Sequence, residues 1–502
     1  MDTTTLLYTA LSLIPLLLLL NKTTTWEHIV PAKIPWIDRR PEPFNYLRAK
    51  TRSFFSMKDN INEAYYTYNK QGTAAALAIA FGRPQIILPP KFIRWIIDQP
   101  ETTLSIDPIH NEFHAFVRDG LVGDHLVQEV LRRELAGNLG TLTGEMNEEI
   151  GDALEAVLGS SGEWTTLPLK DSMRTIIARI SNRLFVGKEL SRNEDYIRDA
   201  VNLGMAVMPQ TLIQDLLPAI LKRPLSHIAK WFTSFHMAGL FNHLRPLIRQ
   251  RIKDVQNAEK DETLPNELLT WMARRAVQRG ESSSSIEDKL ISRIAMANLA
   301  SIETTTNTIT KCLEDMFARP SPSNSAYLEQ MKREAQTVLT GCNYNPTKKD
   351  LEGLICIENA LKESLRLAVV FPGLIRQVTS PTGITLPDST GTHLPHGARL
   401  SVAAYAIHRD DENWPDAAVY NPRRHEAAAL PMSRGSEQLL SFGLGKRACP
   451  GRFFVADELK LLFAHLLVKY EVRVVVPPVS RVGLVRELTL RGAKEELVVR
   501  RM

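Results

Sequence analysis

Cysteine is scarce in this chain of 502 residues, and its few cysteines lie far apart. The four are Cys312, Cys342, Cys356 and Cys449, with no C-x-x-C pair among them. Zinc ribbons and disulfide scaffolds both need several cysteines at short spacings, so the sequence indicates neither and favours a reducing compartment. An isolated cysteine is most often a small buried hydrophobic residue, and only its sequence context indicates a chemical role.

Strong net charge and internal repeats are absent as well. The formal net charge is +5 with 23% charged residues, and no basic cluster or nucleic-acid-reading motif occurs, so no nucleic-acid partner is expected. Hydrophobic residues make up 44% of the chain, which is typical of a folded protein with a large core and excludes extensive disorder.

Charged residues are missing from one apolar run near the N-terminus, Leu6 to Leu20. With the threonines before it, this run approaches the roughly 20 residues that cross a bilayer. A cleaved signal peptide is the alternative, but Asp2 rather than a basic residue precedes the run and no small-x-small cleavage site follows it. We therefore expect a single N-terminal transmembrane helix, a membrane anchor, within residues 1–21.

The segment after the expected anchor is rich in proline and in basic residues. Its prolines are Pro31, Pro35, Pro41 and Pro43, and its basic residues include Lys22, Lys33, Arg39 and Arg40. Prolines at these intervals predict a stiff extended connector, which we place at residues 22–44. Basic residues after a membrane span favour the cytoplasmic side for the rest of the chain, residues 45–502, which shows no second boundary and is expected to form one domain.

Helical patterns dominate that domain. The longest predicted helix runs from Ile286 to Arg319 without proline or glycine and stops before Pro320, a length of about 50 Å at 1.5 Å per residue. Its apolar content predicts burial through the centre of the molecule. Short strands and turns predominate between Thr379 and Val402, and a strand-like interruption of the helical pattern also occurs at Gln85 to Leu88. The expected fold class is mainly α with a minor β portion.

The segment Ser441 to Leu459, SFGLGKRACPGRFFVADEL, has the residues that a cysteine metal ligand requires. A thiolate needs its charge stabilised by a helix N-terminus and needs backbone close to it. Gly443 and Gly445 permit a tight turn, and Cys449 stands where a helix begins. The alternative is that this segment is only a turn before an amphipathic helix and binds no cofactor.

This segment resembles the signature of the cytochrome P450 family, F-x-x-G-x-R-x-C-x-G. Its fixed positions are matched by Phe442, Gly445, Arg447, Cys449 and Gly451. The resemblance implies the cytochrome P450 fold and a heme b cofactor, iron protoporphyrin IX, with Cys449 as the metal ligand. It further implies that Phe442 and Gly443 border the heme and that Arg447 pairs with a heme propionate.

Two further segments extend the resemblance. Glu363 and Arg366, at positions i and i+3 of a predicted helix, and Arg424 in the segment YNPRR are expected to form the ion network with which the family fixes its heme-binding core. This role is structural. His425 stands where the family has an aromatic residue.

On the long helix, the segment Ala300 to Thr305 resembles the family's A-G-x-[DE]-T-[TS], with Ser301 in place of the glycine. Oxygen cleavage needs protons delivered into a dry pocket, and a hydroxyl beside a carboxyl group is a suitable relay. We therefore expect Thr304 and Glu303 to be catalytic. The alternative is that these threonines only bond back to helix carbonyls.

Other residues have weaker roles by resemblance. Arg376, and with less support Arg132 and His125, would hold a heme propionate, and residues 369–371 would contact substrate. Three basic residues near the cysteine, Lys446, Arg452 and Lys460, would form a docking face for an acidic partner.

The implied activity is that of a monooxygenase that inserts one atom of dioxygen into a lipophilic small molecule. Its electrons would come from NADPH through NADPH–cytochrome P450 reductase in the endoplasmic reticulum membrane. The segment ACPGRFFVADELK looks most like fungal family members of secondary-metabolite biosynthesis, such as terpenoid pathways. One alternative is a heme-thiolate isomerase or dehydratase that consumes no dioxygen. The other is a non-enzymatic membrane heme-binding protein.

Overall fold

A computed structural model describes most of the chain. The described residues are 26–80, 82–114, 123–203, 219–258, 264–318, 322–369, 372–388, 391–427, 430–476, 483–485, 488–490 and 495–502. The helices are α1 (Asn45–Glu63), α2 (Ile93–Asp98), α3 (Asp107–His114), α4 (Leu126–Val130), α5 (Ala136–Leu158), α6 (Leu169–Phe185), α7 (Lys188–Ser191), α8 (194–203), α9 (Ala219–Asn257), α10 (Leu268–Gln278), α11 (Ser283–Leu313), α12 (Pro322–Gly341), α13 (Ile355–Ala368), α14 (Ala404–Ile407) and α15 (Arg452–Lys469). The fold is therefore mainly helical, as predicted.

Strands are short. They are β1 (Ala75–Leu77), β2 (Gln85–Leu88), β3 (Leu104–Ser105), β4 (Thr165–Pro168), β5 (Gly373–Val378), β6 (Ile384–Thr385), β7 (His393–Leu394), β8 (Arg399–Val402), β9 (Tyr470–Val475), β10 (Gly483–Val485), β11 (Leu488–Leu490) and β12 (Glu496–Arg501). The largest sheet has the order β1-β2-β8-β5-β3, in which β2 and β8 are parallel and the other pairs antiparallel. The minor β portion thus includes strands near both ends of the chain as well as the predicted region between Thr379 and Val402.

Helix α11 is the long central helix that the sequence predicted, beginning slightly earlier than Ile286. A single π-helical turn, Glu314–Ala318, continues it. It packs against α6, α13 and α9, and most of its apolar residues are buried in the larger hydrophobic core. Because neighbours cover it on several sides, it lacks the one-sided polar face of a surface helix.

The sheet and the N-terminal segment share a second hydrophobic core. Ile29, Val30, Ile34 and Ile37 are buried there at 1–7% exposure, and Trp36 forms a β-bridge with Ala76. The described part of the expected connector, residues 26–44, is therefore packed onto the body rather than extended away from it. The reason is its apolar residues, which lie between the prolines and gain free energy by burial.

The expected anchor, residues 1–21, lies outside the described residues. Within the described part of the chain, no helix has both the length and the apolar character needed to cross a bilayer.

Candidate functional site

The cysteine loop, Ser441–Gly451, is a sequence of tight turns that ends at the N-terminus of α15. Gly443 and Gly445 have positive φ angles of 67° and 71°, which side-chain-bearing residues rarely adopt. A Cβ atom at Gly445 would also come within 3.0 Å of Ile97. The Cys449 N–H then donates to the Phe442 carbonyl at 2.8 Å. The predicted tight turn is confirmed, and it closes the loop back on itself at the cysteine.

The Cys449 side chain lies at the first turn of α15. Burial raises the pKa of its thiol, while hydrogen bonds from the backbone N–H groups of Gly451 and Arg452 and the charges of Arg452 and Arg132 act in the opposite direction. The net shift is upward, so the helix N-terminus alone does not produce a thiolate. A cation coordinated to the sulfur would be needed to hold it deprotonated.

Glu363, Arg366 and Arg424 come together at the end of α13. Glu363 and Arg366 are fully buried, and Arg366 donates to both Glu363 carboxylate oxygens at 2.8 and 2.9 Å. Arg424 Nε donates to Glu363 Oε1 at 2.8 Å. Burial raises the pKa of Glu363, but the hydrogen bonds from Arg366 and His425 and the charge of Arg366 outweigh it and lower the pKa to about 2.

His425 was not predicted as part of this network. Its Nε2 lies 3.0 Å from Glu363 Oε2, and the side chain is 1% exposed. Burial lowers the pKa of His425 despite that contact, so the ring donates as a neutral group. The position that the sequence marked as a departure from the family pattern therefore supplies a further donor to the buried carboxylate. Its adjacency to Arg424 was the one available signal.

Three arginines predicted to bind heme propionates lie near one another. Arg376, on β5, is 5% exposed, and the only hydrogen bond of its side chain among the described residues is to the carbonyl of Ile375 at 2.8 Å. Burial lowers its pKa. Arg132 keeps an exposed side chain, but partial covering by its neighbours and the charge of Arg447 lower the pKa of its guanidinium. Positive charges therefore lie close together here, and the described residues do not supply a carboxylate for each of these arginines.

Arg447 does have protein partners. Its Nε donates to Glu101 Oε1 at 2.6 Å, and its Nη2 lies 3.5 Å from Asp107 Oδ2. The hydrogen bond from Arg447 to Glu101 raises the pKa of the guanidinium. Glu101 and Asp107 are therefore site residues that sequence patterns did not reveal, since neither belongs to a motif.

The irregular backbone of β5 places Arg376. The β5–β8 pairing shifts register between Gly373 and Arg376, and Leu374 between them has a positive φ of 54°. Such a bulge redirects side chains along a strand.

A pocket of about 290 Å³ opens beside Arg132 and Arg447. It is lined by His125, Gln128, Glu129, Arg132, Arg133 and Arg447. A heme carries two carboxylates at one edge, and buried cations require anionic partners, so the unpaired Arg376 and the arginine-lined pocket fit that group.

Helix α11 presents its predicted catalytic residues in two directions. Thr304 and Ala300 are exposed although the helix is otherwise largely buried, and the Thr304 hydroxyl donates to the Ala300 carbonyl at 2.7 Å. This is the hydrogen bond to a helix carbonyl that the non-catalytic alternative predicted. The hydroxyls of Thr305 and Thr306 are buried without a partner among the described residues.

Glu303 instead faces α6. Lys170 Nζ lies 2.5 Å from Glu303 Oε1, and Arg174 Nε lies 3.0 Å from Glu303 Oε2. Burial raises the pKa of Glu303, but the attraction and hydrogen bonds of Lys170 and Arg174 outweigh it, and the net shift is downward. At neutral pH Glu303 is therefore a carboxylate held between two cations, which the linear motif did not predict because both lie on another helix.

One predicted group is corrected by the structure. Lys460 is 5% exposed and donates to the Leu351 carbonyl at 3.0 Å, so it takes no part in an exposed docking face. Lys446 is exposed, and Arg452 is half-buried and donates to the Cys449 carbonyl. Lys460 was misassigned because α15 is covered by other helices on nearly all sides. Of the expected substrate contacts, Val369 is buried, while residues 370–371 lie outside the described residues.

The described geometry defines a class of protein: a mainly helical body with a cysteine at a helix N-terminus and several arginines nearby. Comparison with known proteins identifies that class. The family model for cytochrome P450 matches residues 125–485. The chain is 76% identical over 500 residues to cytochrome P450 monooxygenase ecdH of Aspergillus rugulosus, covering 100% of this chain and 99% of that protein.

A second relative is more distant. Cytochrome P450 monooxygenase gloO of Glarea lozoyensis is 49% identical over 465 residues, covering 90% of this chain and 88% of that protein. The chain belongs to the cytochrome P450 family. It is a monooxygenase, an oxidoreductase that incorporates molecular oxygen, and the family implies a heme cofactor.

Proposed function

We propose that this monooxygenase binds heme b through Cys449 and inserts one oxygen atom from dioxygen into a lipophilic small molecule of secondary metabolism. The observation that carries the proposal is the position of Cys449. Its sulfur accepts from the backbone N–H groups of Gly451 and Arg452, at the start of α15, and its own N–H is bonded to Phe442 in a loop built on two left-handed glycines. Cys312, Cys342 and Cys356 are not preceded by such a pair of glycines.

The protein side of cofactor binding follows from the charges. Arg376, Arg132 and Arg447 would hold the two heme propionates, and Glu101 and Asp107 would orient Arg447 toward them. When bound, heme with a thiolate ligand supplies the activation of dioxygen. The protein contributes orientation, exclusion of water and control of protons.

Thr304 and Glu303 are proposed to handle those protons. The exposed Thr304 hydroxyl can release its back-bond to Ala300 and donate into the space that α11 borders. Glu303 is ionised between Lys170 and Arg174, so it must accept a proton before it can donate one. Lys170, with 33% of its side chain exposed, connects these ion pairs to solvent. The arrangement supports a relay from solvent through the α6–α11 interface.

We also propose the cellular setting. Residues 1–21 would anchor the protein in the endoplasmic reticulum membrane with its body in the cytoplasm. NADPH–cytochrome P450 reductase would supply electrons, and the exposed Lys446 with Arg452 would contribute to its docking. The composition of the apolar N-terminal run and the basic residues that follow it support this setting. A secondary metabolite, such as a terpenoid, remains the proposed substrate class.

Substitution of Cys449 tests the proposal. The purified protein, reduced under carbon monoxide, should absorb at about 450 nm as a thiolate-bound heme does. Cys449→Ala should abolish both this band and turnover with NADPH and dioxygen. Cys342→Ala, a part-buried cysteine elsewhere, serves as the matched control and should retain both.

Two results would contradict the proposal. One is a Cys449→Ala protein that keeps the band. The other is product formation by the wild-type protein without NADPH and dioxygen, which would favour an isomerase or dehydratase.

A further inference from the structure

His408 connects the two elements on which the site is built. It directly follows α14, is 0% exposed, and has its Nδ1 2.9 Å from the Arg366 carbonyl. On the other side of the ring, the backbone N–H of Leu440 donates to Nε2 at 2.7 Å. Since Leu440 can only donate, Nε2 is the acceptor, and Nδ1 carries the hydrogen that is donated to Arg366. The two partners therefore define one neutral tautomer.

The first contact satisfies the end of α13. This helix ends at Ala368, so the carbonyls of its last turn have no intrahelical N–H partner. His408 bonds the carbonyl of Arg366, and Arg409 bonds those of Leu367 and Val369. In return, the Arg366 guanidinium donates to the carbonyl of His408. The histidine is thus held by the residue that pairs with Glu363.

The second contact fixes the start of the cysteine loop. Leu440 precedes the loop directly, and its carbonyl accepts the Gly443 N–H at 2.9 Å. Two residues further on, the Phe442 carbonyl accepts the Cys449 N–H at 2.8 Å. A displacement of the Leu440 N–H therefore moves the turn from which Cys449 is held.

We propose that His408 is a positioning residue for Cys449, which transmits the fixed geometry of the α13 ion network to the cysteine loop through its two ring nitrogens. The inference rests on the proposed function, since it assigns the loop's purpose to holding a metal ligand. It does not make His408 a catalytic residue, because the ring touches neither the sulfur nor any reacting group.

Two substitutions separate the halves of the bridge. His408→Asn keeps an amide donor for the Arg366 carbonyl but is too short to accept from Leu440. His408→Gln carries the same carboxamide one methylene further out, so its oxygen can reach the Leu440 N–H and accept from it as Nε2 does. The matched control is His465→Asn. His465 is likewise buried, at 2% exposure, and its Nε2 bonds Asn147 at 2.7 Å, but it lies on α15 away from the loop.

The measurement uses the holoenzyme, reduced under carbon monoxide at a fixed elevated temperature. The decay of the thiolate band into the shorter-wavelength band of a protonated or displaced cysteine gives a rate for each variant. Loss of one hydrogen bond to a buried group predicts a rate about tenfold above wild type for His408→Asn. His408→Gln should stay within about threefold of wild type, as should His465→Asn, although each lowers the thermal unfolding midpoint.

Equal rates for His408→Asn and His465→Asn would overturn the inference, as would equal rates for the Asn and Gln variants of His408. A general loss of stability cannot imitate the expected result, because the control loses a comparable buried hydrogen bond. Failure of the proposed function is seen separately, in a wild-type spectrum without a thiolate band, whereas failure of this inference leaves that spectrum normal.

Discussion

Replacing Glu363 by glutamine tests the physical basis of the ion network. The change preserves the size of the side chain but removes its charge and turns one acceptor oxygen into a donor. Glu363 accepts hydrogen bonds at both oxygens from Arg366, and further ones from Arg424, His425 and the N–H of Asn421. In Glu363→Gln at least two of these donors face an amide NH₂ and are left without an acceptor.

The expected cost follows from burial. Arg366 is 0% exposed and Arg424 8% exposed, so water cannot replace the lost carboxylate. Breaking a buried ion pair by removing one partner destabilises a protein by about 3–5 kcal/mol. A suitable comparison is Glu149→Gln, because Glu149 is also 0% exposed and bonds two arginines. Its partners Arg179 and Arg192 are 13% and 32% exposed, which lets water solvate them and predicts a smaller loss of about 1–3 kcal/mol.

The assay combines denaturant unfolding, followed by circular dichroism, with the reduced carbon monoxide spectrum of the same samples. Glu363→Gln should lower the free energy of unfolding by more than Glu149→Gln and should also reduce the fraction of thiolate-bound heme. Glu149→Gln should leave that fraction unchanged, since α5 does not carry the cysteine loop. Equal destabilisation by the two substitutions, or a normal spectrum in Glu363→Gln, would refute the reasoning.

Two further predictions concern protons. Thr304→Ala should keep heme binding but divert NADPH consumption into peroxide, measured as the ratio of product to NADPH oxidised; unchanged coupling would refute the relay. Burial raises the pKa of Glu458 to about 8, so its protonated form contributes stability that is present below the unfolded-state pKa of 4.5 and is lost as pH rises toward 8, by about 1.4 kcal/mol per pH unit. In Glu458→Gln this pH dependence should vanish, so the free energy of unfolding of the variant should rise relative to that of the wild type between pH 5 and pH 8. Parallel curves of unfolding free energy against pH would contradict the raised pKa of Glu458.

Local patterns in the sequence predicted the parts of the structure that depend on local physics. The helix from Ile286 was found as α11 because its apolar periodicity and lack of proline act over consecutive residues. The turns at Gly443 and Gly445 were predicted because the need for positive φ depends on the residue itself. The segment around Ile34 was predicted to extend away from the body but is packed onto it, because prolines indicate an extended backbone and not what that backbone packs against.

The candidate site was predictable only where a motif carries its residues. Glu363 and Arg366 are three positions apart on one helix, and the structure pairs them. Lys170, which holds Glu303, is separated from it by more than a hundred residues and is an ordinary lysine on an amphipathic helix. Glu101 is even more remote in sequence from Arg447, which it contacts. Such contacts depend on how helices and loops are packed together, which a single sequence does not specify at the level of side chains.

The buried ion network around Glu363 is better explained by the backbone arrangement that it fixes than by a gain in stability. A buried ion pair often contributes little net stability compared with apolar residues of the same size, because desolvation offsets the attraction. Yet Arg366 donates hydrogen bonds to backbone carbonyls as well as to Glu363, including the carbonyl of Ala417 at 2.8 Å. A leucine there would be as compatible with burial, but it could not hold those carbonyls in one arrangement. Since His408 is bonded both to Arg366 and to the residue before the cysteine loop, that arrangement extends from α13 through hydrogen bonds and the loop backbone to Cys449.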